Sequence, residues 1–396
     1  MVNLRPNPAF RANAACVLGA TGSVGIQTLD VLAECGIPVE MMTAGEGVER
    51  FARAVKRFRP KIAAMTTGEA AAKLRELLGD DAPETLWRPD EVLDAVRTTG
   101  ADIVFHSVSG LAGLDTAIAA AESGKRVGMA NKEAIVACGD LILDHAASSG
   151  GEIIPVDSEH CAIYRCLEGR DPGDLRRILL TASGGPFFGR TAEELRHVTA
   201  AEALAHPTWK MGKKITVDSA TLMNKGFEVI EAVRLFGVPE NRVDVLVHRQ
   251  SIVHSMVEWN DNTLFAQMGR PDMRDCIRYA LTAPHAAPVT HTPLDLAAIG
   301  SLTFAEPDTT AFPLLEAARE AVRMGGTAPA CLIAADEEAV DAFLAGQIGF
   351  QDIAAVVTET LGRIPALPEI NTETAAYTVT QARRFARRQI DLMQRM

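Results

Sequence analysis

The sequence has few of the features that mark secreted, membrane-spanning or metal-knuckle proteins. Its seven cysteines are scattered without a C-x-x-C pair, which predicts neither a zinc knuckle nor a disulfide framework and favours a reducing compartment. It contains no run of about 18 apolar residues, the length that a membrane-spanning helix needs. Residues 1–13 have no apolar segment, so we expect no signal peptide and a cytoplasmic location.

Positive charge is also scarce. There are 39 Lys and Arg residues against 51 Asp and Glu, and the net charge of −12 argues against nucleic acid or an anionic membrane as the main partner. A small anionic substrate remains compatible, because local lysines and helix N-termini can outweigh the global sign. The chain has 396 residues, of which 47% are hydrophobic, enough for two or three globular domains.

A glycine-rich loop near the start predicts dinucleotide binding. A short apolar strand over 14–18 leads into Gly19, Gly22 and Gly25, and helical periodicity follows over 26–35. In this context the glycines let the backbone approach a pyrophosphate at a helix N-terminus, although an ordinary βα turn is the alternative. Strands and helices alternate over roughly the first 150 residues, which predicts a doubly wound parallel sheet.

Residues that follow the strands of this sheet are candidate ligand contacts. The second strand ends at Gly-Glu-Gly over 45–47, where a Rossmann-type domain reads the adenosine ribose. Glu46 alone favours NAD, because a carboxylate repels the 2′-phosphate of NADP. Four cations on the next helix could reach such a phosphate, although a solvated helix face is the simpler explanation for any one of them: Arg50, Arg53, Lys56 and Arg57. Ser109, Asn131 and Lys132 follow later strands.

Three carboxylates predict a metal site. Asp157 and Glu159 follow an apolar segment and are two residues apart, so an extended backbone would point both to one side. Glu228 is a third acid able to join them. Three carboxylates with water or substrate oxygens suit Mg²⁺ or Mn²⁺, whereas the alternative is a solvated strand end with unrelated acids.

Hydroxyl, amide and ammonium donors further along predict phosphate binding. Ser183 lies in a small-residue loop that suits an anion or, alternatively, is a flexible glycine turn. Ser219, Asn224 and Lys225 offer a fitting donor set. Between these segments, Trp209 stands in a polar stretch over 206–214, which predicts either a lid that excludes water or a loop whose Trp packs on the core.

The rest of the chain predicts a smaller sheet and a helical end. Strands are expected over 242–247, 251–258 and 263–268, and this sheet would suit a dimer interface. Residues 282–303 have little periodicity and predict a linker. Four helical segments follow between 312 and 396.

Seven motifs, taken together, resemble those of the 1-deoxy-D-xylulose 5-phosphate reductoisomerase family over nearly the whole chain. They lie at 19–25, 130–133, 155–160, 182–186, 206–212, 217–226 and 250–257. The resemblance implies an α/β chain with a Rossmann-like dinucleotide-binding domain over 1–153. It further implies an α+β catalytic domain that binds metal and substrate and forms the dimer over 154–282, a linker over 283–308 and a C-terminal helical bundle over 309–396.

The implied reaction converts the sugar phosphate 1-deoxy-D-xylulose 5-phosphate to 2-C-methyl-D-erythritol 4-phosphate, by metal-assisted rearrangement and then NADPH-dependent reduction. The implied metal ligands are Asp157, Glu159 and Glu228, and the implied catalytic residues are these three with Lys132 and His206. The implied substrate contacts are Lys132, Ser158, Glu159, Ser183, His206, Trp209, Met211, Ser219, Asn224, Lys225 and Glu228. The implied cofactor contacts are Gly19, Thr21, Gly22, Ser23, Val24, Gly25, Gly45, Glu46, Gly47, Ser109, Asn131, Glu133 and Gly212.

Four positions depart from the family pattern. The family often has Lys, Arg or Ser followed by Asn where this chain has Glu46 and Gly47, which weakens the preference for NADPH. Arg249 replaces a usual Pro, and Asp336 stands where Asn is common; no function is predicted for either.

Two other functions fit part of the sequence. A semialdehyde-type NAD(P)-dependent dehydrogenase has a similar glycine loop but needs a nucleophilic Cys, and Cys138, Cys161 and Cys166 lack an activating context. A non-catalytic dinucleotide-binding sensor would have lost its metal site, whereas the three acids are intact. Metal-dependent turnover would exclude the sensor.

Overall fold

A parallel sheet of seven strands dominates the first part of the computed structural model, which describes residues 1–45, 47–209 and 211–395. Its strands are β1 Ala15–Leu18, β2 Val39–Ala44, β3 Ile62–Met65, β4 Glu84–Leu86, β5 Ile103–His106, β6 Arg126–Met129 and β7 Glu152–Pro155. Their order is β4-β3-β2-β1-β5-β6-β7, and every residue of β1 and β5 is buried. Burial on both faces requires helices on both sides, so the predicted doubly wound sheet is confirmed.

This sheet lies in a compact unit formed by Met1–Ala134, Asp140–Cys161 and Asp272–His291. Its helices are α1 Ser23–Cys35, α2 Val48–Phe58, α3 Gly68–Leu78, α4 Pro89–Thr98, α5 Leu114–Glu122 and α11 Met273–Thr282. Two further helices, α6 Lys132–Ser149 and α7 Ser158–Leu167, have residues in both units of the chain. The strand order changes direction between β1 and β5, which is where doubly wound sheets bind ligands.

The second unit comprises Ile135–Gly139, Ala162–Pro271 and the chain from Thr292 on. Its sheet has the order β11-β10-β8-β9, with β8 parallel to β9 and antiparallel to β10. The strands are β8 Leu175–Ala182, β9 Val243–Val247, β10 Val253–Trp259 and β11 Leu264–Met268. The helices are α8 Ala200–Ala203, α9 Lys213–Thr221, α10 Met223–Phe236, α12 Leu296–Ile299, α13 Leu314–Met324, α14 Ala328–Leu344, α15 Phe350–Arg363 and α16 Thr372–Met393.

The helical end of the chain packs around α14. This helix is buried along most of its length, because Ala, Leu and Ile side chains cover it on nearly every side, and both α15 and α16 contact it. The helical character predicted for this part is therefore confirmed, while the three boundaries between the four predicted segments stay a prediction. No helix within the described residues is both long and apolar enough to cross a bilayer.

The expected extended backbone at Asp157 and Glu159 is wrong. Strand β7 ends at Pro155, and α7 begins at Ser158. The Asp157 carboxylate accepts hydrogen bonds from the backbone N–H groups of Glu159 at 3.2 Å and His160 at 3.4 Å. An Asp in this position satisfies N–H donors that a helix start leaves unpaired, so local capping outweighs continuation of the strand.

Candidate active site

The glycine loop after β1 closes in a way that only glycine permits. Gly19 has a φ of +82°, and a Cβ there would lie 2.7 Å from the carbonyl oxygen of Ser107 at the end of β5. A Cβ on Gly25 would lie 2.1 Å from the carbonyl oxygen of Gly19. Gly22 immediately precedes α1, and the structure gives no side-chain hydrogen bond at this cap. The N–H groups of the first helical turn therefore suit a pyrophosphate.

Arg50 lies beside this loop. Its guanidinium donates a hydrogen bond of 3.4 Å to the carbonyl oxygen of Thr21, whereas Arg57 on the same helix pairs with Asp30 at 3.2 Å. Gly47 immediately precedes α2 and has a φ of +86°. Glu46 lies outside the described residues, so its predicted cofactor contact stays a prediction.

Asn131 shapes the loop that carries Ser109. Its side-chain oxygen caps α6 by accepting from the N–H of Ala134 at 2.6 Å. Its amide nitrogen donates to the carbonyl oxygens of Val108 and, at 2.9 Å, of Gly110. The end of β6 is thereby tied to the loop after β5.

Lys132, Asp157, Ser158, Glu159 and His160 meet in the first unit, and we call this group the carboxylate centre. The Lys132 ammonium, in the first turn of α6, lies 2.8 Å from one oxygen of Asp157, and Nδ1 of His160 lies 3.0 Å from the other. The Ser158 hydroxyl donates to Glu159 at 2.6 Å. Burial alone would raise the pKa of Asp157, but the Lys132 and His160 contacts hold it well below its ordinary value. An ionised carboxylate beside a second acid and a hydroxyl is a donor set that fits a hard divalent cation.

The third predicted acid lies in the second unit. Glu228 of α10 is 1% exposed, accepts a hydrogen bond of 2.6 Å from the side-chain amide of Asn224, and contacts the ammonium of Lys225. Leu222 joins α9 to α10 with a φ of +63°, a left-handed conformation that is rare for a branched residue. This turn brings the end of α9, with Ser219, to the start of α10.

Ser183, His206 and Ser219 form a hydroxyl–imidazole cluster, also in the second unit. Nε2 of His206 lies 2.9 Å from the Ser183 hydroxyl and 3.1 Å from the Ser219 hydroxyl. Three segments supply these groups: the loop after β8, the loop between α8 and α9, and α9 itself. Two of the predicted phosphate donors are thus joined by the predicted histidine.

The proton of His206 can be assigned from its neighbours. Nδ1 accepts hydrogen bonds from the backbone N–H groups of Thr208 at 3.1 Å and Trp209 at 2.9 Å, so Nε2 carries the proton of the neutral ring. Burial, and then the positive charge of Arg249, lower the pKa of His206. Because the neutral ring donates from Nε2, the serine hydroxyls can direct their own protons to an anion.

The predicted lid has one aromatic contact in the described residues. The Trp209 ring centroid lies 6.4 Å from that of His254. Met211 is half-buried, and Gly212 is exposed and precedes α9. Lys210 lies outside the described residues, and the closing motion stays a prediction.

The parallel sheet with its glycine loop, together with the carboxylate centre, defines the class of dinucleotide-dependent α/β enzymes. A reductoisomerase from Symbiobacterium thermophilum is 49% identical over 353 residues, which are 88% of this chain and 91% of the relative. The chain therefore belongs to the 1-deoxy-D-xylulose 5-phosphate reductoisomerase family.

Further comparisons agree. The model described as 1-deoxy-D-xylulose 5-phosphate reductoisomerase matches residues 15–139. Its C-terminal domain model matches 153–236, and the DXP reductoisomerase C-terminal domain model matches 268–389. The Caulobacter vibrioides reductoisomerase is 45% identical over 378 residues, covering 93% of this chain and 94% of that protein.

Solved structures of the family superpose over most of the chain. The Zymomonas mobilis reductoisomerase in complex with NADPH is 38% identical, with a TM-score of 0.89, and the match covers 96% of this chain and 99% of that one. A DOX-P reductoisomerase in complex with NADPH, fosmidomycin and magnesium is 34% identical, with a TM-score of 0.90 and the same coverage. These matches confirm the family and enzyme class predicted from the motifs, and the semialdehyde dehydrogenase alternative is not favoured.

Sequence reasoning gave no role to two residues that contact the site. His160 supplies one of the two side-chain contacts to Asp157. Its position three residues after a helix-capping Asp was the available signal. Arg249 was recognised only as a departure from the family pattern, yet its charge acts on His206.

Proposed function

We propose that this chain catalyses the rearrangement and NADPH-dependent reduction of 1-deoxy-D-xylulose 5-phosphate to 2-C-methyl-D-erythritol 4-phosphate, with Mg²⁺ or Mn²⁺ bound. The observation that carries the proposal is the ionised, buried Asp157 beside Glu159, Ser158 and Lys132. Buried acids arranged in this way serve a cation or a reaction more readily than they serve stability.

Asp157, Glu159 and Glu228 would hold the metal. When bound, it supplies Lewis acidity to the carbonyl and hydroxyl oxygens of the sugar. Lys132 is already directed at Asp157 and would donate to a substrate oxygen next to that carboxylate. The Ser158 hydroxyl would contact the substrate from the same helix start.

The hydroxyl–imidazole cluster would bind the substrate phosphate. Ser183 and Ser219 would donate hydroxyl protons, while His206 holds both hydroxyls in place through Nε2. Asn224 and Lys225, in the first turn of α10, would add an amide and an ammonium. Trp209 and Met211 would then cover the substrate and exclude water.

NADPH would bind at the β1–α1 loop. Gly19, Gly22 and Gly25 allow the pyrophosphate to approach the start of α1, with Thr21, Ser23 and Val24 in the same turn. Arg50, held at the carbonyl of Thr21, supports recognition of the 2′-phosphate despite Glu46. The remaining contacts are proposed at Gly45, Gly47, Ser109, Asn131, Glu133 and Gly212.

We also propose the domain order stated above, over 1–153, 154–282, 283–308 and 309–396, and a homodimer. The four-stranded sheet supports the dimer, because its edge strand β11 has partly exposed and exposed residues throughout. Sedimentation velocity of the purified chain would distinguish a dimer from a monomer.

Nicotinamide absorbance tests the function. The reaction would contain 1-deoxy-D-xylulose 5-phosphate with Mg²⁺ or Mn²⁺, with NADPH and NADH in parallel. Oxidation of NADPH that stops on adding a chelator is expected. A preference for NADH would keep the reaction and overturn the cofactor assignment, whereas no turnover with either nucleotide would overturn the function.

A further inference from the structure

Arg249 holds the loop that carries Ser183. Its guanidinium donates a hydrogen bond of 3.1 Å to the carbonyl oxygen of Ser183 and a second, short one to the carbonyl oxygen of Gly185. The same guanidinium lies 5.3 Å from the centroid of the Phe188 ring. One side chain thus contacts the loop at three places, all within the second unit of the chain.

Two adjacent glycines give this loop a backbone that no side chain of its own restricts, so contacts from outside it must fix its conformation. Gly184 and Gly185 have φ values of +74° and +61°, a region that glycine visits easily but also leaves easily. A planar guanidinium can bind two carbonyl oxygens at once and fix their relative orientation. Because a trans peptide points its C=O and N–H in opposite directions, holding the carbonyl of Ser183 also turns the N–H of Gly184 away from Arg249.

We propose that Arg249 is a positioning residue for the phosphate site: it fixes the Ser183 loop, whose hydroxyl contacts Nε2 of His206, and its positive charge adds to burial in opposing protonation of that ring. The proposal rests on the proposed function, in which Ser183 and His206 bind the substrate phosphate. A Pro at this position would have no side-chain donor, so the arrangement requires the arginine of this chain.

The effect of the Arg249 charge on the pKa of His206 follows from the groups around the imidazole ring. The ring faces the Ser183 hydroxyl from the loop after β8, the Ser219 hydroxyl from α9, and the backbone N–H groups of Thr208 and Trp209. A protonated ring would place Nδ1–H against those two N–H donors. After burial, the charge of Arg249 is the second cause that lowers the pKa of His206, so its removal raises that pKa.

The first variant is Arg249→Met, measured by steady-state kinetics with 1-deoxy-D-xylulose 5-phosphate. We expect KM to rise about 10-fold while kcat stays within about two-fold, because the lost bonds are charge-assisted and act on ground-state binding. The decrease of kcat/KM at acidic pH, its acid limb, should also begin at a higher pH than in the wild type. The substrate phosphate titrates near the same pH, but equally in both proteins, so the difference between them reports His206.

Arg249→Lys separates the two effects and guards against a folding defect in the first variant. It keeps the charge but loses the planar fork, so KM should rise while the acid limb stays as in the wild type. The control is Arg242→Met. Arg242 donates to the carbonyl oxygen of Arg176 at 2.7 Å, at the opposite end of β8, roughly 20 Å away at about 3.3 Å per strand residue.

Binding of inorganic phosphate, followed by calorimetry, tests the proposal without turnover. Weaker phosphate binding in both Arg249 variants, with Arg242→Met unchanged, would support it even if the reaction itself had been assigned wrongly. A wild-type KM and wild-type phosphate binding in Arg249→Lys would overturn the positioning role. An unmoved acid limb in Arg249→Met would overturn the effect on His206.

Discussion

The carboxylate centre is built around an ionised carboxylate paired with an ammonium, whereas the hydroxyl–imidazole cluster is built from neutral groups. Asp157 is held as a carboxylate between Lys132 and His160. His206 is held as a neutral imidazole between two hydroxyls and two backbone donors. The first arrangement is suited to a cation, and the second is suited to an anion.

The carboxylate centre and the hydroxyl–imidazole cluster are stabilised in different ways. Buried charges are tolerated when opposite charges match them, so the carboxylate centre depends on the number of charges present. A network of neutral groups depends instead on which atom carries each proton. Substitutions that change charge should therefore damage the first, whereas changes of pH should damage the second.

The largest expected effect concerns the charge of Glu228, the third acid that we assign to the metal. Glu228→Gln keeps the size of the side chain and removes its charge. We expect metal-dependent turnover to fall roughly a thousand-fold or more, because a correctly held metal contributes several kcal/mol to the barrier. Absorbance assays at increasing Mg²⁺ concentration would measure the loss.

Nucleotide binding, followed by NADPH fluorescence, should survive in the same variant. Glu240→Gln is the matched control, since Glu240 is a half-buried acid of the second unit that contacts Arg319 and has no place in the site. Near-normal turnover in Glu228→Gln would show that its charge is not needed, and the metal assignment would fail.

The second effect concerns stability, at a neutral histidine of the first unit. His106 is fully buried, contacts the Thr116 hydroxyl at 2.9 Å through Nε2, and has no hydrogen-bond partner at Nδ1 among the described residues. Burial lowers its pKa to about 4. As the pH falls below about 6.5, His106 becomes protonated in the unfolded chain but stays neutral in the folded chain. The free energy of unfolding therefore falls.

Between pH 7 and pH 5 this single group should cost about 2 kcal/mol of unfolding free energy. Urea unfolding of the wild type and of His106→Gln at both pH values would measure it, because Gln keeps a donor for Thr116 but does not titrate. If both proteins lose the same stability on acidification, His106 is not the cause.

The sequence predicted the sheet and the identity of the site residues better than their local geometry. The glycine loop was recognisable because Gly19 and Gly25 have no allowed substitute in that turn. The extended geometry at Asp157 was predicted wrongly, because strand continuation and helix capping compete over a few residues. Helix α6 was not predicted as a helix, since the motif at its start was interpreted only as a strand end.

The electrostatic partners were the least predictable part. Lys132 and Asp157 are 25 positions apart in the sequence, and no local pattern indicates that they form an ion pair. Arg249 was noticed only as an unusual residue, because its contacts run to a loop more than 60 positions away. The first pair depends on the register of β6 and β7 and the contacts of Arg249 on that of β8 and β9, and sequence periodicity determines neither register.

Substitution of His206 tests the hydroxyl–imidazole cluster. The variant His206→Gln offers an amide but cannot switch its protonation state in the accessible range. We expect KM for the sugar phosphate to rise about 10-fold at pH 8, since the network of buried hydrogen bonds is incomplete. At pH values below the lowered pKa of His206 the wild type should lose affinity further, because protonation of Nδ1 opposes its two N–H donors.

The substrate phosphate titrates in the same range and contributes its own acid limb. The His206→Gln profile contains that limb alone, so the excess loss in the wild type measures the imidazole. If KM has the same pH dependence in the two proteins, the neutral state of His206 does not contribute to substrate binding.

The smallest expected effect concerns the charge of Arg50, beside the β1–α1 loop. Arg50 is an exposed cation held by one long hydrogen bond to Thr21, so its contribution is weakened by solvent. Arg50→Met should weaken NADPH binding about five-fold and leave NADH binding unchanged, because only NADPH has the 2′-phosphate. Fluorescence titration with both nucleotides would measure this, with Arg57→Met as the control, since Arg57 pairs with Asp30. Equal losses for NADPH and NADH would mean that Arg50 supports the loop rather than reading the phosphate, and the preference for NADPH would then have to come from other residues.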